Sequence, residues 1–369
     1  MNSQITLEHS KVVVLKDRIK ALTKLIADKR LDGYMVANGA SLLYLTGFDG
    51  GIRLLVAEDI ESIFYVQGVN YEAAKEEAKD CKVELVKRGE DIDIKVAKEI
   101  KHLKLKNIGF DTLDVPIYLK LKKALKGTRL QSHGNLVGEL RKVKDKTELN
   151  YIRKAAEMTS EGAKTAFETI KPGLREFEVA AEIEYAMRKL GSDGVAFDTI
   201  VASGVRSAFP HGGCTDKKIQ KGDLVVVDVG AKYKYYRADL TRTFVAGKPS
   251  AKQKKVYEIV KNAQEKAFKS LKAGAKGNKI DAAARKIIEK EGYGEYFVHS
   301  LGHGVGLEVH EMPTLNSESK DVLQSGNVVT VEPGIYIIDF GGIRIEDTVL
   351  VGENKAEQLT KASYTLGVE

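Results

Sequence analysis

Cysteine is scarce: 369 residues hold only Cys81 and Cys214, far apart in the chain. Two such residues cannot make a disulfide framework, and they point to a reducing compartment, the cytoplasm. No run of about 18 apolar residues occurs, so no membrane-spanning helix is expected. The N-terminal MNSQITLEHSKVVVLKDRIK meets charge before a signal-peptide core could form. The net charge of +7 is not concentrated, because lysines such as Lys16, Lys20, Lys24, Lys261, Lys266 and Lys269 are spread over helical faces among glutamates. Zinc-finger and RNA-binding signatures are missing as well. This is a solvated, salt-bridged surface, and a nucleic-acid partner is not expected. With 43% hydrophobic residues, 30% charged residues and six prolines, the chain is a soluble globular protein with a substantial core. At roughly 150 residues per domain, two or three domains are expected.

What the chain does have is a patterned hairpin, IQKGDLVVVDVGAKYKYYRADLTRT, from Ile219 to Thr243. An apolar run, Leu224 to Val229, meets a tyrosine-rich turn and a second strand from Arg237 to Phe244. With the turn centred on Tyr233 and Lys234, Asp228 falls directly opposite Asp239. Like charges opposite one another destabilise a ladder, and burying them in apolar strands raises the cost. A bound cation removes both penalties, so the pair reads as a metal clamp.

The motif recurs. Ile219 to Gly230 aligns without gaps on Leu323 to Gly334, placing Asp228 on Glu332. Arg237-Ala-Asp239 aligns on Arg344-Ile-Glu346, with three extra residues in the second hairpin. Upstream, Ile170-Lys-Pro-Gly173 and a helix ending at Gly191 match Leu271-Lys-Ala-Gly274 and a helix ending at Gly292. The second half of the chain is therefore two copies of one helix–helix–hairpin unit related by a pseudo-twofold. Four carboxylates brought together need more positive charge than one divalent ion supplies, which predicts a two-metal site.

Ahead of the repeat, an amphipathic helix from Val12 to Leu31 precedes short strands alternating with helices. That alternation argues an α/β domain over residues 1–135. His9, His102 and His133 read as surface or packing residues. LVGELRKVKDKT marks a charged connector over 136–147, and 148–369 forms the second domain. Within it, the loop Ser207-Ala-Phe-Pro-His211-Gly-Gly213 exposes a histidine between proline and two glycines. The stretch HSLGHGVGLEVHE brings His303, flanked by glycines, and His310, expected near the end of a strand. Neutral imidazole is the commonest metal ligand, and a second one beside a cation can steady an oxyanion. Cys214 is a poor ligand for an oxygen-rich site and reads as structural. Thr241 and Arg344 are candidates to orient the carboxylates.

GDLVVVDVGAKYKYYRADLTRTF, HSLGHGVGLEVHE, VVTVEPGIY and GGIRIEDTVLV together resemble the metal-dependent Xaa-Pro peptidases of the pita-bread fold, the prolidase and aminopeptidase P branch. SLLYLTGF, from Ser41 to Phe48, is similar to the marker of the family's creatinase-like N-terminal domain. The resemblance spans the whole chain. It implies an α/β accessory domain followed by an α+β pita-bread catalytic domain. It also implies two divalent metals, Mn2+ or Co2+ with Zn2+ or Fe2+ as alternatives, bound by Asp228, Asp239, His303, Glu332 and Glu346. Asp228 and Glu346 would lie on different sides of the pair, with Asp239 and Glu346 bridging. Hydroxide between the metals would attack the Xaa–Pro carbonyl, Glu332 would relay the proton, and His211 and His310 would hold the substrate and its tetrahedral intermediate. A homodimer is implied as well.

One position departs from the family pattern. Thr314 stands where many prolidases carry an arginine for the dipeptide carboxylate, and threonine cannot make that bidentate contact. An aminopeptidase acting on longer Xaa-Pro peptides is therefore the alternative. A peptide-binding module without chemistry, a creatinase and a methionine aminopeptidase rank lower. The first two would be expected to lack ligands that are all present here, and the third lacks such an accessory domain.

Overall fold

The computed structural model describes residues 18–134 and 136–368, and the chain divides into two compact units between Arg141 and Lys142. The first part of the expected Val12–Leu31 helix lies outside the described residues; the helix is present over 18–28.

The N-terminal unit is built on a six-stranded mixed sheet of β1 (Gly33–Val36), β2 (Gly51–Ala57), β3 (Ile63–Gln67), β4 (Lys82–Val86), β5 (Asn107–Phe110) and β6 (Arg129–Ser132). Its order is β4-β3-β2-β1-β5-β6. The β1–β2 and β2–β3 pairs are antiparallel and the other three are parallel, with β3–β4 and β5–β6 each joined through a helix. Met35, Leu55 and Ile108 from the sheet meet Val96, Ile100 and Leu121 from the helices Ile92–His102 and Val115–Ala124 in one apolar core. The SLLYLTGF stretch lies largely within the helix Gly39–Thr46. The Asn38 side chain caps it, accepting from the Ser41 N–H at 2.9 Å, and Gly47 ends it at φ 74°.

The connector expected over 136–147 is more ordered than its composition suggests. A short helix, Leu136–Arg141, occupies its first half. The helix α1 (Lys146–Thr169) takes up its last two residues. Asp145 accepts from the Thr147 and Glu148 N–H groups while Glu148 reaches back, a capping box.

In the C-terminal unit α1 and α2 (Glu176–Lys189) form one helix pair, and α3 (Ala251–Ser270) and α4 (Gly277–Lys290) form the other. Each pair turns through a left-handed glycine, Gly173 at φ 99° and Gly274 at φ 82°. The first pair covers a four-stranded sheet containing β7 (Ile200–Ser203), β8 (Leu224–Val229) and β9 (Leu240–Ala246). Ile183, Val225, Val227 and Phe244 lie in its core. The second pair covers a five-stranded sheet that includes β10 (Gly302–Gly304), β11 (Glu311–Leu315), β12 (Val328–Val331) and, beyond a two-stranded ribbon of β13 (Gly334–Ile337) and β14 (Gly341–Arg344), β15 (Asp347–Val351). Val260, Ala263, Val329 and Val349 share that core. Each fully buried Val or Leu contributes about 1.5–3 kcal/mol, so each half of the repeat has its own apolar foundation.

Two local expectations are corrected. The first hairpin turns on Lys234 and Tyr235, both left-handed at φ 48° and 70°, as a primed two-residue turn requires. Tyr233 therefore pairs with Tyr236, and Asp228 stands opposite Thr241 instead of Asp239. The shift is two residues, and side chains alternate with a period of two. Asp228 and Asp239 thus keep one face and become diagonal neighbours. In the second hairpin, Val331 faces Asp347 and Gly334 faces Arg344, which puts Glu332 opposite Glu346. The second correction concerns His310. It lies in the irregular segment 305–310, ahead of strand β11 and not at the end of one.

Candidate metal centre

His211, Asp228, Asp239, His303, His310, Glu332 and Glu346 all line one cavity of about 550 Å³ in the C-terminal unit. Strand β8 supplies Asp228, and Asp239 directly precedes β9. Glu332 and Glu346 leave the ends of β12 and β14, and β10 carries His303. The two hairpins thus present equivalent carboxylates to one space, as their repeat implies. Gly302 and Gly304 let neighbouring strands close around His303: a Cβ on either would run into the Thr330 or Met312 carbonyl.

Asp239, His303 and Glu346 each offer a ligand atom within 4.8 Å of the others. Asp228 and Glu332 border the same cavity outside this tight trio. Asp228 Oδ1, Asp239 Oδ1 and Glu346 Oε1 are buried and accept no hydrogen bond. A buried polar atom left so costs about 1–3 kcal/mol, and more when charged. Burial pushes the Asp239 carboxyl well above its usual range, and the neighbouring Asp228 adds to it. Burial does the same to Glu346, helped by Asp239 and Glu332. Three orphaned oxygens and an imidazole around one cavity fit a divalent cation with oxygen-rich coordination.

The remaining oxygens are held. Arg344 donates from Nη2 to Asp228 Oδ2 at 2.7 Å and from Nε to Thr241 Oγ1 at 3.0 Å. Thr241 in turn donates to Glu346 Oε2 at 2.6 Å. One guanidinium thereby orients two carboxylates and leaves an oxygen of each open to the cavity, the role expected for Thr241 and Arg344. Arg344 Nη1 also donates to Tyr336 Oη at 2.8 Å. Tyr336 Oη lies 2.9 Å from His299 Nε2, whose Nδ1 is 2.7 Å from the Ser300 carbonyl. Nδ1–H therefore donates to Ser300, and Nε2 accepts from the tyrosine. Burial lowers the His299 pKa, so the ring stays neutral.

His299 lines the cavity, and the sequence reading gave it no role. The only signal was its place four residues before His303 in a glycine-rich stretch. Its partners Tyr336 and Arg344 are remote in sequence.

His303 Nδ1 is 3.0 Å from the Gly304 carbonyl, an arrangement that turns Nε2 toward Glu332 Oε1 at 3.2 Å. Glu332 Oε1 also accepts from Thr330 Oγ1 at 3.0 Å. Burial opposes charge on both partners, but their contact prevails: His303 is pushed up to about 9 and Glu332 down to about 2. A cation on Nε2 would take the place of that proton. His310 packs its ring against His303 with centroids 4.2 Å apart. Burial and the charge on His303 push the His310 pKa down, leaving a neutral imidazole at the cavity wall. Cys214 donates to the Thr199 carbonyl at 2.9 Å and does not line the cavity, in keeping with a structural role.

A pita-bread unit with carboxylates and histidines converging on one cavity is the architecture of a metal-dependent hydrolase. The chain belongs to metallopeptidase family M24, which matches residues 150–353, and residues 18–143 match the Creatinase/Prolidase N-terminal domain. It is 42% identical to an Xaa-Pro dipeptidase of Pyrococcus furiosus over 95% of this chain and 100% of that one. The prolidase of Pyrococcus horikoshii superposes with a TM-score of 0.89 at 40% identity, covering 94% of this chain and 99% of that chain. An X-Pro aminopeptidase of Thermotoga maritima does so with a TM-score of 0.86 at 38% identity, covering 95% and 99%. No helix among the described residues is long and apolar enough to cross a membrane.

Proposed function

We propose that the chain hydrolyses the Xaa–Pro bond of dipeptides or short peptides, using two divalent cations held by Asp228, Asp239, His303, Glu332 and Glu346. The observation that carries this reading is the set of orphaned oxygens on Asp228, Asp239 and Glu346 around one cavity. Four carboxylates at one place call for more than one divalent ion. Mn2+ or Co2+ suit oxygen-rich ligation with a single imidazole, as do Zn2+ and Fe2+. When bound, such ions lower the pKa of water and polarise the substrate carbonyl.

The protein's own groups do the rest. Glu332, at the cavity wall, accepts the proton released by the attacking water and delivers it to the leaving proline nitrogen. His310 and His211, on the same wall, hold the substrate and donate to the oxyanion as it forms. Arg344 and Thr241 keep the carboxylates in place throughout. The same reading carries a homodimer in a reducing cytoplasm. It rests there on the family resemblance and on Cys81 and Cys214, both free thiols.

Thr314 favours a second reading, an aminopeptidase acting on longer Xaa-Pro peptides. Its N–H and Oγ1 are engaged by Asp321 Oδ2 at 2.9 and 3.2 Å, so this cavity residue makes no bidentate grip on a free carboxylate. Hydrolysis of Met-Pro against a Met-Pro-containing tripeptide, after chelator stripping and resupply of manganese, cobalt or zinc, separates the two. Metal-dependent cleavage of the dipeptide supports the first reading, and cleavage of the tripeptide alone supports the second. Cleavage of neither would refute both.

A further inference from the structure

The histidine of the Pro210-His211-Gly212-Gly213 loop lies on a segment poorly suited to holding a side chain still. The loop has no regular structure, and Gly213 adopts φ 60°. Two glycines give the backbone many alternative conformations. A catalytic imidazole there needs an external frame, and a buried carboxylate outside the cavity supplies one.

Glu176, in the first turn of α2, is completely buried. Its Oε1 accepts from the N–H and Oγ of Ser203, both at 2.8 Å. Its Oε2 accepts from the N–H and Oγ1 of Thr215 at 2.9 and 2.6 Å. Ser203 and Thr215 bracket the segment that carries His211, so one carboxylate ties both of its ends together. Arg206 Nε donates to the same carboxylate at 3.2 and 3.4 Å, which balances its charge. The other arm of that guanidinium, Nη2, reaches over the loop to the Gly212 carbonyl at 2.5 Å and the Gly213 carbonyl at 3.4 Å. On the opposite side, Arg344 Nη1 donates to the Pro210 carbonyl at 3.4 Å. His211 is thus flanked by two carbonyls, each fixed by a guanidinium.

We infer that Glu176 and Arg206 are positioning residues for His211: they fix the loop so that its imidazole stands at the cavity wall. Neither lines the cavity, so their action on it runs through the loop that carries His211. The inference rests on the role proposed above for His211. A carboxylate with this many donors could serve the fold alone. Coupling to His211 is what separates a positioning role from a structural one, since residues acting through one group are non-additive.

The test is a double-mutant cycle on the full chain loaded with Mn2+, using Arg206→Ala, His211→Ala and their combination. Arg206→Lys and Glu176→Gln serve as conservative variants should the alanine variant fold poorly. Readouts are kcat and KM for the better-cleaved Met-Pro peptide, Mn2+ affinity by calorimetry, and Tm. Misplacing His211 by about 1 Å should lower kcat/KM by about 100-fold in Arg206→Ala, with Mn2+ affinity unchanged. The double variant should be no slower than His211→Ala alone, and Arg206→Lys should recover part of the loss by restoring one donor.

Multiplying effects of Arg206→Ala and His211→Ala would overturn the inference. So would normal kinetics in Arg206→Lys, Arg206→Ala and Glu176→Gln beside an impaired His211→Ala, and in that case the role of His211 would stand. Unimpaired His211→Ala would remove that role and the inference with it.

Discussion

Arg344 grips Asp228 at 2.7 Å with one arm and Thr241 at 3.0 Å with another, and Thr241 passes the constraint to Glu346. Two carboxylates from different halves of the repeat are therefore oriented by one planar cation. Lysine has no such fork. Arg344→Lys is expected to fold and to lose about 10- to 100-fold in metal affinity, the usual cost of removing a ligand's orienting partner. Calorimetric titration of the stripped protein with Mn2+ checks this. Unchanged affinity would mean that the guanidinium does not orient the ligands.

Asp239→Asn should have opposite effects on stability and binding. Asp239 Oδ1 is buried and orphaned in the metal-free chain, where the carboxylate also faces Asp228 and Glu332. Removing its charge should raise the stability of the stripped protein, and more so as pH rises through the elevated folded pKa of Asp239. The same change should abolish the upward Tm shift expected of the wild type on adding Mn2+. Denaturant melts with and without Mn2+ read both effects. Loss of stability in the stripped variant would contradict the account.

Stability of the stripped protein should fall as pH rises. Asp239 and Glu346 have folded pKa values raised above their unfolded ones, chiefly by burial. His303 is raised to about 9, its contact with Glu332 prevailing over burial. Groups raised in this way stabilise below the unfolded pKa, and that stabilisation is lost as pH climbs through the folded value. Glu332, lowered to about 2, loses its contribution only in strong acid, outside the window of interest. Between about pH 5 and 9 the Tm of the stripped protein should therefore decline. Metal binding displaces these protons, so the gap between loaded and stripped Tm should widen over the same range. A gap that narrows with pH would contradict the assignment of these groups as ligands.

Behind the site, Arg242 and Asp347 form a fully buried ion pair at 3.0 Å. Arg242 Nη1 also donates to the Glu346 carbonyl at 2.6 Å, and Asp347 accepts from Gln264 and Thr360. Arg242→Met would strand the Asp347 charge and should cost about 3–5 kcal/mol in denaturant unfolding. A loss under 1 kcal/mol would show that the pair is dispensable.

The repeat was the most legible feature of the sequence, because Asp228/Glu332 and Asp239/Glu346 fall at equivalent places and the fold brings them to one cavity. Turn chemistry was less legible. Lys234 and Tyr235 carry none of the Asn or Gly signals of a primed turn, so the register was read two residues off. Because two is also the side-chain period, the error left the carboxylates on their shared face. A shift of one would have turned Asp239 away.

The framing network was hidden for a different reason. His299 reaches Tyr336 across 37 residues, and Glu176 reaches Arg206 across 30. Such contacts are set by tertiary packing and leave no mark in local spacing.

This cavity is expected to cleave Xaa–Pro bonds only with its cations in place. The most direct measurement adds Mn2+ in increments to chelator-stripped protein while following hydrolysis of Met-Pro and of the Met-Pro-containing tripeptide. No cleavage is expected without metal, and the rate should climb until two equivalents per chain are bound. Full activity in the stripped protein, or none on either peptide with any added metal, would contradict this expectation.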